Sequence, residues 1–328
     1  MTTSQASARA ATPPGSARSA AGHDASGCDA SGYDASGRGD QRLWRWITFA
    51  PALAMMVALS VLPIANLVVT SFQNITWADG QATRSWVGLA HYRALFSDNL
   101  FAAGLSNTVI FALAAVAGQM VLAFAMALMV SKIGRGRVLY RAIFILPLLI
   151  PGIVIGAIWK LMLNFDFGLV NKALGLFGVM PHDWLGSPET ALLSVIVVDI
   201  WHWTPFCFLL FLAGLESLPQ DVFEAAKMDG AGPWQELAYV TLPLMVPTII
   251  VTFAFRLIVA FKVFDEVYLL TGGGPGTSTE VLSFTLYQRF FTEDKAGYGS
   301  AMSVAIIFLV SILLVVAISA RRGTGRQP

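Results

Sequence analysis

Three ionisable side chains, Asp199, His202 and Arg256, stand inside long apolar stretches of this sequence. Asp199 and His202 are three residues apart, so on a helix they would share one face. Ionised groups are costly in so apolar a setting, and they are kept there for function or because a partner neutralises them. These three side chains are therefore the first candidates for chemistry.

Two interpretations of the three side chains stay open. In the first they line a path for a polar solute, and Trp201 and Trp203 offer flat rings for stacking. In the second they are buried structural pairs that lock one helix against another. A further cation, Lys262, has Asp265 and Glu266 within one helical turn, which predicts a local structural ion pair.

Enzyme chemistry is not indicated. Asp199 and His202 resemble a catalytic dyad, but neither a nucleophile motif nor metal-ligand spacing accompanies them. The two cysteines, Cys28 in a polar leader and Cys207 in an apolar run, predict no metal site or disulfide framework. The glycines at 272–274 lack the Lys-Ser or Lys-Thr of a phosphate loop and predict a turn. We therefore expect a non-enzyme without a cofactor or metal of its own.

The composition points to a membrane protein. Hydrophobic residues make up 56% of the 328 residues, charged residues only 12%, and the mean hydropathy is +0.66. Soluble domains carry about 25% charged residues. The formal net charge of +1 provides no basic field, which argues against nucleic-acid binding.

Six stretches are long and apolar enough to cross a bilayer, which takes about 20 residues of helix. They cover residues 47–72, 102–130, 139–163, 191–215, 244–270 and 301–320. Several contain prolines, which membrane helices tolerate because neighbouring groups satisfy the freed carbonyls. The prediction is an all-α membrane protein with six transmembrane helices.

Lysine and arginine placement predicts the orientation. If the N-terminus is cytoplasmic, ten of these cations fall on the inner side and five on the outer side. The short loop from Lys132 to Arg141 is the clearest part, with four cations and no acid. The positive-inside rule then predicts a multi-pass protein with both termini in the cytoplasm.

The ends of the chain differ from its middle. Residues 1–41 are rich in Ala, Ser and Gly and repeat Asp-Ala-Ser-Gly three times. Such a composition buries too little apolar surface to offset its ordering entropy, so we predict a disordered cytoplasmic tail. A transmembrane domain over 42–320 and a short basic cytoplasmic tail over 321–328 complete the predicted organisation.

A polar segment over residues 218–243 separates the fourth and fifth stretches, and we call it the interspan segment. Pro219 suits the start of a short helix, and Asp229-Gly230 suits its end, with glycine in the left-handed conformation. Pro233 suits the start of a second short helix that ends before Pro243. The orientation above places this segment in the cytoplasm.

The interspan segment resembles the cytoplasmic EAA loop of binding-protein-dependent ABC importer permeases. The matching residues are Glu224-Ala225-Ala226, Gly230, Val240 and Leu242-Pro243. The family pattern usually has Ile at the position of Val240, a conservative departure. The resemblance implies that this segment couples the permease to its ATPase through Glu224, Ala225, Ala226, Asp229 and Gly230.

A second resemblance concerns the solute. Leu270-Thr-Gly-Gly-Gly-Pro275, Thr279-Glu280 and the final stretch from Gly297 look like those of carbohydrate-uptake permeases of the maltose-transporter type. Together the two resemblances cover roughly residues 42–320. They imply half of a translocation path for a sugar or polyol in the inner membrane, lined by Asp199, Trp201, His202 and Arg256 under the first interpretation above.

The resemblance also implies partners. These are membrane lipid, a second homologous permease, a dimer of ATPase subunits that binds and hydrolyses ATP, and an extracytoplasmic solute-binding protein. The chain has no Gly-x-x-x-x-Gly-Lys sequence with which to hydrolyse ATP by that route.

Two other functions stay open. One is an ABC permease for a different solute, such as a phosphorylated polyol. The other is a stand-alone secondary transporter, although ten or more spans and inverted repeats, common in that class, are not detected.

Overall fold

The computed structural model describes residues 37–78, 81–133 and 136–324. The described chain divides into two compact units, of which the first ends at Ser60 and the second begins at Val61. The helices are α1 (Gly37–Ser71), α2 (Ala90–Ser97), α3 (Asn99–Ser131), α4 (Arg137–Ile145), α5 (Gly152–Met162), α6 (Leu169–Gly175), α7 (Pro188–Glu216), α8 (Gln220–Met228), α9 (Pro233–Gln235), α10 (Leu242–Ala260), α11 (Asp265–Leu270), α12 (Leu282–Tyr287) and α13 (Ala296–Thr324).

The predicted all-α membrane architecture is confirmed. Within the described ranges five helices are long and apolar enough to cross a membrane, and the bent pair α4–α5 brings the number to six. Most of the predicted disordered tail, residues 1–36, lies outside the described residues, and α1 begins at Gly37. At the other end α13 runs to Thr324, into the predicted basic tail, and residues 325–328 lie outside the described part.

The third predicted span is not one continuous helix. A 3-10 turn, Leu146–Leu149, separates α4 from α5, and the two helices meet at 92°. The break follows from Pro151, because a proline disfavours the helical conformation of the residue before it. Ile150 accordingly adopts extended backbone, with ψ 126°.

The fifth predicted span is interrupted as well. Helix α10 ends at Ala260, and the short helix α11 starts only at Asp265. Helix α11 packs on α5, where a Cβ on Gly156 would lie 2.8 Å from Leu269 Cβ. Two discontinuous spans therefore meet at the level of their breaks.

Helices α3 and α7 pack closely through small residues, as membrane helices do when van der Waals contact drives their association. At one crossing a Cβ on Gly118 would lie 2.6 Å from Ile200 Cδ1. Further small residues of α3 are fully buried: Ala112, Ala115, Ala123 and Ala127. The close fit holds the polar groups on these two helices at fixed positions.

Two strands form an element that the sequence interpretation missed. Strands β1 (Gln73–Ala78) and β2 (Gln81–Trp86) pair antiparallel from Gln73 opposite Trp86 to Ala78 opposite Gln81. Asp79-Gly80 is the signal that was available, because Asp-Gly is typical of two-residue hairpin turns.

Candidate functional site

Asp199 lies at the centre of a buried polar cluster inside the membrane-spanning helices. The guanidinium of Arg256 on α10 donates from Nη2 to Asp199 Oδ2 at 2.5 Å. The amide of Gln119 on α3 donates to the same oxygen at 2.8 Å and to the backbone carbonyl of Asp199 at 3.1 Å. All three residues are at most 1% exposed. The cluster therefore joins three spans through one carboxylate.

His202 belongs to a second pair one helical turn further along α7. Its Nδ1 lies 3.1 Å from Glu266 Oε1 at the start of α11, and both side chains are buried. The prediction that Lys262 pairs with Asp265 or Glu266 is wrong for the described residues, in which Glu266 contacts His202 and Lys262 makes no ion pair. The histidine is the nearer partner because α7 and α11 pack together, which spacing along the chain does not reveal.

The two tryptophans flanking His202 have different surroundings. Trp203 lies under Arg256, whose Cζ is 4.7 Å from the ring centroid, a cation–π contact. Trp201 is 41% exposed and packs edge-on against Trp159 at 5.6 Å. The structure therefore brings Trp203, but not Trp201, to the cluster with Asp199, His202 and Arg256.

A cavity of about 210 Å³ opens beside this cluster, where the two discontinuous spans break. The residues that line it include buried Asp199, His202 and Arg256, half-buried Trp203, and the exposed Lys262 and Asp265. Among the described residues no group of three or more His, Cys, Asp or Glu side chains is arranged to hold a metal. What the cavity offers is hydrogen-bond donors and acceptors beside an aromatic ring.

Pairing accounts for charges at this depth. A lone ion in the membrane interior is costly, whereas an ion pair with further hydrogen bonds recovers much of the desolvation cost. Sequence reasoning found the three charged members of the cluster by this cost but missed Gln119. The available signal was an amide side chain in the middle of α3, whose two other amides, Asn99 and Asn107, lie near the start of the helix.

The interspan segment forms the second candidate site. Helix α8 ends in a Schellman motif, in which Gly230 N–H donates to Lys227 O at 3.1 Å and Ala231 N–H to Ala226 O at 3.0 Å. Gly230 has φ +77°, and a Cβ built on it would meet no atom within 4 Å. Its requirement for glycine is thus conformational. The first short helix and its glycine end lie where the pattern of prolines and glycine predicts.

The second half of the segment differs from the prediction. A short helix ending before Pro243 is wrong, because the chain continues from α9 through a π turn, Glu236–Thr241, into α10. A proline lacks the N–H that an α-helix needs and clashes with the carbonyl four residues back. The wider π turn lies just before Pro243, so helix and span form one continuous unit from Pro233 to Ala260.

The predicted coupling residues lie on an open surface. Glu224, Ala225, Asp229 and Gly230 are exposed, and Ala226 is half-buried. Three large apolar side chains near them are also exposed: Met228, Trp234 and Tyr239. Behind this surface a cavity of about 620 Å³ is lined by Phe223 and by residues at the ends of α3 and α7. The segment therefore presents both charge and apolar area to a partner.

The Gly-Gly-Gly-Pro loop after α11 is held by specific hydrogen bonds. The hydroxyl of Thr279 lies 2.7 Å from both Thr271 Oγ1 and the carbonyl oxygen of Gly274. Glu280 is buried, which raises the pKa of its carboxyl group, and it accepts a hydrogen bond from Thr285 at 2.7 Å. These hydrogen bonds make the loop a well-defined turn, in agreement with the sequence interpretation.

Comparison with known proteins gives a consistent picture. The model of the family described as binding-protein-dependent transport system inner membrane component matches residues 119–322, more than half of the chain. A trehalose/maltose transport system permease protein of Thermococcus litoralis is 34% identical over 278 residues, which cover 84% of this chain and 93% of that protein. A sulfoquinovosyl glycerol transport system permease protein of Agrobacterium fabrum is also 34% identical, over 82% of this chain and 87% of its own length.

Solved structures share the fold. A chain of a bacterial alginate ABC transporter, in complex with an alginate-bound periplasmic protein, superposes with a TM-score of 0.77 at 23% identity, over 88% of this chain and 97% of that one. A chain of an ABC transporter for the acidic polysaccharide alginate gives a TM-score of 0.73 at 25% identity, over 87% and 99% of the two chains.

Proposed function

Since the chain belongs to the family of binding-protein-dependent transport system inner membrane components, as a multi-pass permease of a carbohydrate ABC importer, we propose that it forms half of a translocation path for an uncharged sugar or polyol. The observation that carries the proposal is the cavity beside Asp199, His202 and Arg256. In transporters, discontinuous membrane helices mark solute sites. Here two of them break at this cavity.

The charges around the cavity favour an uncharged solute over an acidic one. The four buried ionisable groups of the lining are already matched, Arg256 with Asp199 and His202 with Glu266. An additional anion would find no unpaired cation among them, whereas hydroxyl groups both donate to carboxylates and accept from Arg256. This argument disfavours the phosphorylated-polyol alternative, although a chain of similar fold belongs to a transporter that imports the acidic polysaccharide alginate.

The interspan segment is proposed to couple this path to ATP hydrolysis by a partner ATPase dimer. Glu224 stands exposed on α8, where a carboxylate forms a directional, charge-assisted contact with a basic partner residue. The continuous helix from Pro233 to Ala260 supports transmission, because a movement of the segment would reach α10 directly. A second permease would complete the path, and an extracytoplasmic solute-binding protein would deliver the solute.

The importer reconstituted in proteoliposomes, with its second permease, ATPase and binding protein, tests the solute class. Maltose, trehalose, sucrose and sorbitol form the neutral set, and glycerol 3-phosphate and galacturonate the acidic set. We expect import from the neutral set and none from the acidic set. Import of an acidic member alone would contradict the proposal.

The proposed orientation has its own test. Both termini cytoplasmic would place Thr277 outside and Gly136 inside. A cysteine introduced at Thr277 should react with an impermeant thiol reagent in cells with a permeabilised outer barrier, and one at Gly136 should not. The reverse pattern would overturn the orientation and with it the coupling role of the interspan segment.

A further inference from the structure

Gln119 contributes an amide to the buried cluster without lining the cavity. The side chain is fully buried on α3, and its Nε2 bonds both the backbone carbonyl and the carboxylate of Asp199. Its Oε1 is buried and has no hydrogen-bond partner among the described residues. Such an orphaned acceptor is costly in an apolar interior. The two bonds that Nε2 makes must therefore offset the cost of the unpaired Oε1.

Within the carboxylate of Asp199, only one oxygen is held by the described part of the protein. Both Gln119 Nε2 and Arg256 Nη2 donate to Oδ2, at 2.8 Å and 2.5 Å. The other oxygen, Oδ1, accepts no hydrogen bond from any described residue, and Asp199 lines the cavity. The carboxylate is thus divided between an oxygen held by the protein and one left available.

An arginine alone would not preserve that division. Arginine and carboxylate commonly pair through two parallel hydrogen bonds, which would use both oxygens. Gln119 occupies Oδ2 together with Arg256, and its second bond, to the backbone of α7, fixes the amide independently of the carboxylate. A rotation of Asp199 toward a two-point pair with Arg256 would break the bond from Gln119.

We propose that Gln119 is a positioning residue that holds Asp199 with Oδ1 turned to the cavity, where it accepts a hydrogen bond from a hydroxyl group of the solute. The inference rests on the proposed function of the cavity. It adds a residue on a different span, outside the lining. A polyhydroxylated, uncharged solute is the class of ligand that this free acceptor serves.

The experiment uses the complete reconstituted importer and measures solute imported per ATP hydrolysed, at saturating loaded binding protein. The probe is whichever of maltose, trehalose, sucrose and sorbitol the wild type imports fastest. Gln119→Met keeps the shape but removes the amide, and we expect the ratio to fall about tenfold, as for one lost hydrogen bond to a charged group. Stimulated ATP hydrolysis should stay near the wild-type rate.

A pH profile separates positioning from packing. In Gln119→Glu the protonated carboxyl can donate to Oδ2 as the amide does, whereas two ionised carboxylates at one site repel each other. The import ratio of this variant should therefore be low at pH 7.5 and recover at pH 5.5. Wild type and Gln119→Met control for the other charged groups at the cluster, His202, Arg256 and Glu266, and neither should show the recovery.

Thr108→Val is the matched control on the same helix. The Thr108 hydroxyl is buried, donates to Gly104 O at 2.6 Å and accepts from Leu282 N–H at 2.9 Å. It lies eleven residues from Gln119, about 16 Å along α3. Its loss should lower thermal stability and leave the import ratio unchanged.

Three outcomes would overturn the inference. The first is an unchanged ratio in Gln119→Met, and the second is a parallel fall of import and ATP hydrolysis there. The third is a Gln119→Glu variant without recovery at low pH. Asp199→Ala tests the premise separately: an unchanged ratio in that variant would remove the cavity from the solute path and overturn the proposed function as well.

Discussion

Charged residues are stabilised in different ways at the cavity and on the interspan segment. At the cavity, Asp199 and Arg256 are almost fully buried and each charge is neutralised by a partner from another helix. On the interspan segment, Glu224 is exposed and stands on a short local helix. The first arrangement depends on contacts distant in sequence, and the second on a few consecutive residues.

This difference has an energetic consequence. Removing one member of a buried pair leaves an uncompensated charge, so fold and function suffer together. An exposed carboxylate is solvated when its partner is absent, so its loss should affect only docking. Stability and transport should therefore fall together at the cavity and separate at the interspan segment.

Arg256→Leu should give the largest effect. The variant leaves the carboxyl group of Asp199 buried in the membrane interior without its cationic partner, and breaking a buried pair in this way costs about 3–5 kcal/mol. We expect lower thermal stability and no uptake. The double variant Asp199→Leu/Arg256→Leu, which removes both charges, should regain stability in thermal unfolding measurements without regaining uptake. Normal stability of the single variant would contradict the comparison between buried and exposed charges.

Glu224→Ala should come next. The lost charge-assisted contact with the ATPase is worth about 1.5–3 kcal/mol, which lowers docking affinity about tenfold or more. Uptake and co-purification of the ATPase should fall while thermal stability stays unchanged. Asp221→Ala is the control, because Asp221 is an exposed acid in the first turn of the same helix. An equal loss in both variants would point to net charge rather than to a specific contact.

Gly230→Leu tests backbone geometry in the same segment. A branched residue in the left-handed conformation costs about 1–2 kcal/mol and would misdirect the helices on either side. Gly178→Leu is the matched control: φ is +78° there, against +77° at Gly230, and a Cβ at either position meets no atom within 4 Å. We expect loss of uptake only for Gly230→Leu. If its ATPase still co-purifies, the segment transmits motion more than it provides affinity.

The same contrast explains what the sequence could predict. Pro219, Asp229-Gly230 and Pro233 act within one or two turns, so the first short helix and its left-handed glycine followed from local rules. Local rules could not predict the π turn before Pro243, because either a break in the helix or a wider turn accommodates that proline. Which of the two forms depends on the packing of α10.

At the cavity the cost of burying charge located Asp199, His202 and Arg256 but not their partners. Glu266 was assigned to Lys262 by sequence proximity, whereas packing of α7 against α11 gives it to His202. Trp201 and Trp203 look alike in the sequence, yet side chains two positions apart on a helix point about 200° apart at 3.6 residues per turn. Only the packed structure shows that Trp203 contacts Arg256.

The ion pair between Arg141 on α4 and Glu216 at the end of α7 should give the smallest effect, and it is the strictest test of the comparison. It joins two spans, as the cavity pair does, but each side chain is about one-third exposed. Glu216 also makes a further contact, so single variants do not isolate the pair. A double-mutant cycle with Arg141→Gln and Glu216→Gln does isolate it.

Exposed pairs contribute about 0.2–1 kcal/mol, so we expect a coupling of less than about fivefold in import per ATP. Raising the salt from 0.15 to 1 M shortens the screening length from about 8 to 3 Å and should remove it. A salt-insensitive coupling as large as the effect of Arg256→Leu would show that exposure does not set the importance of charges in this permease.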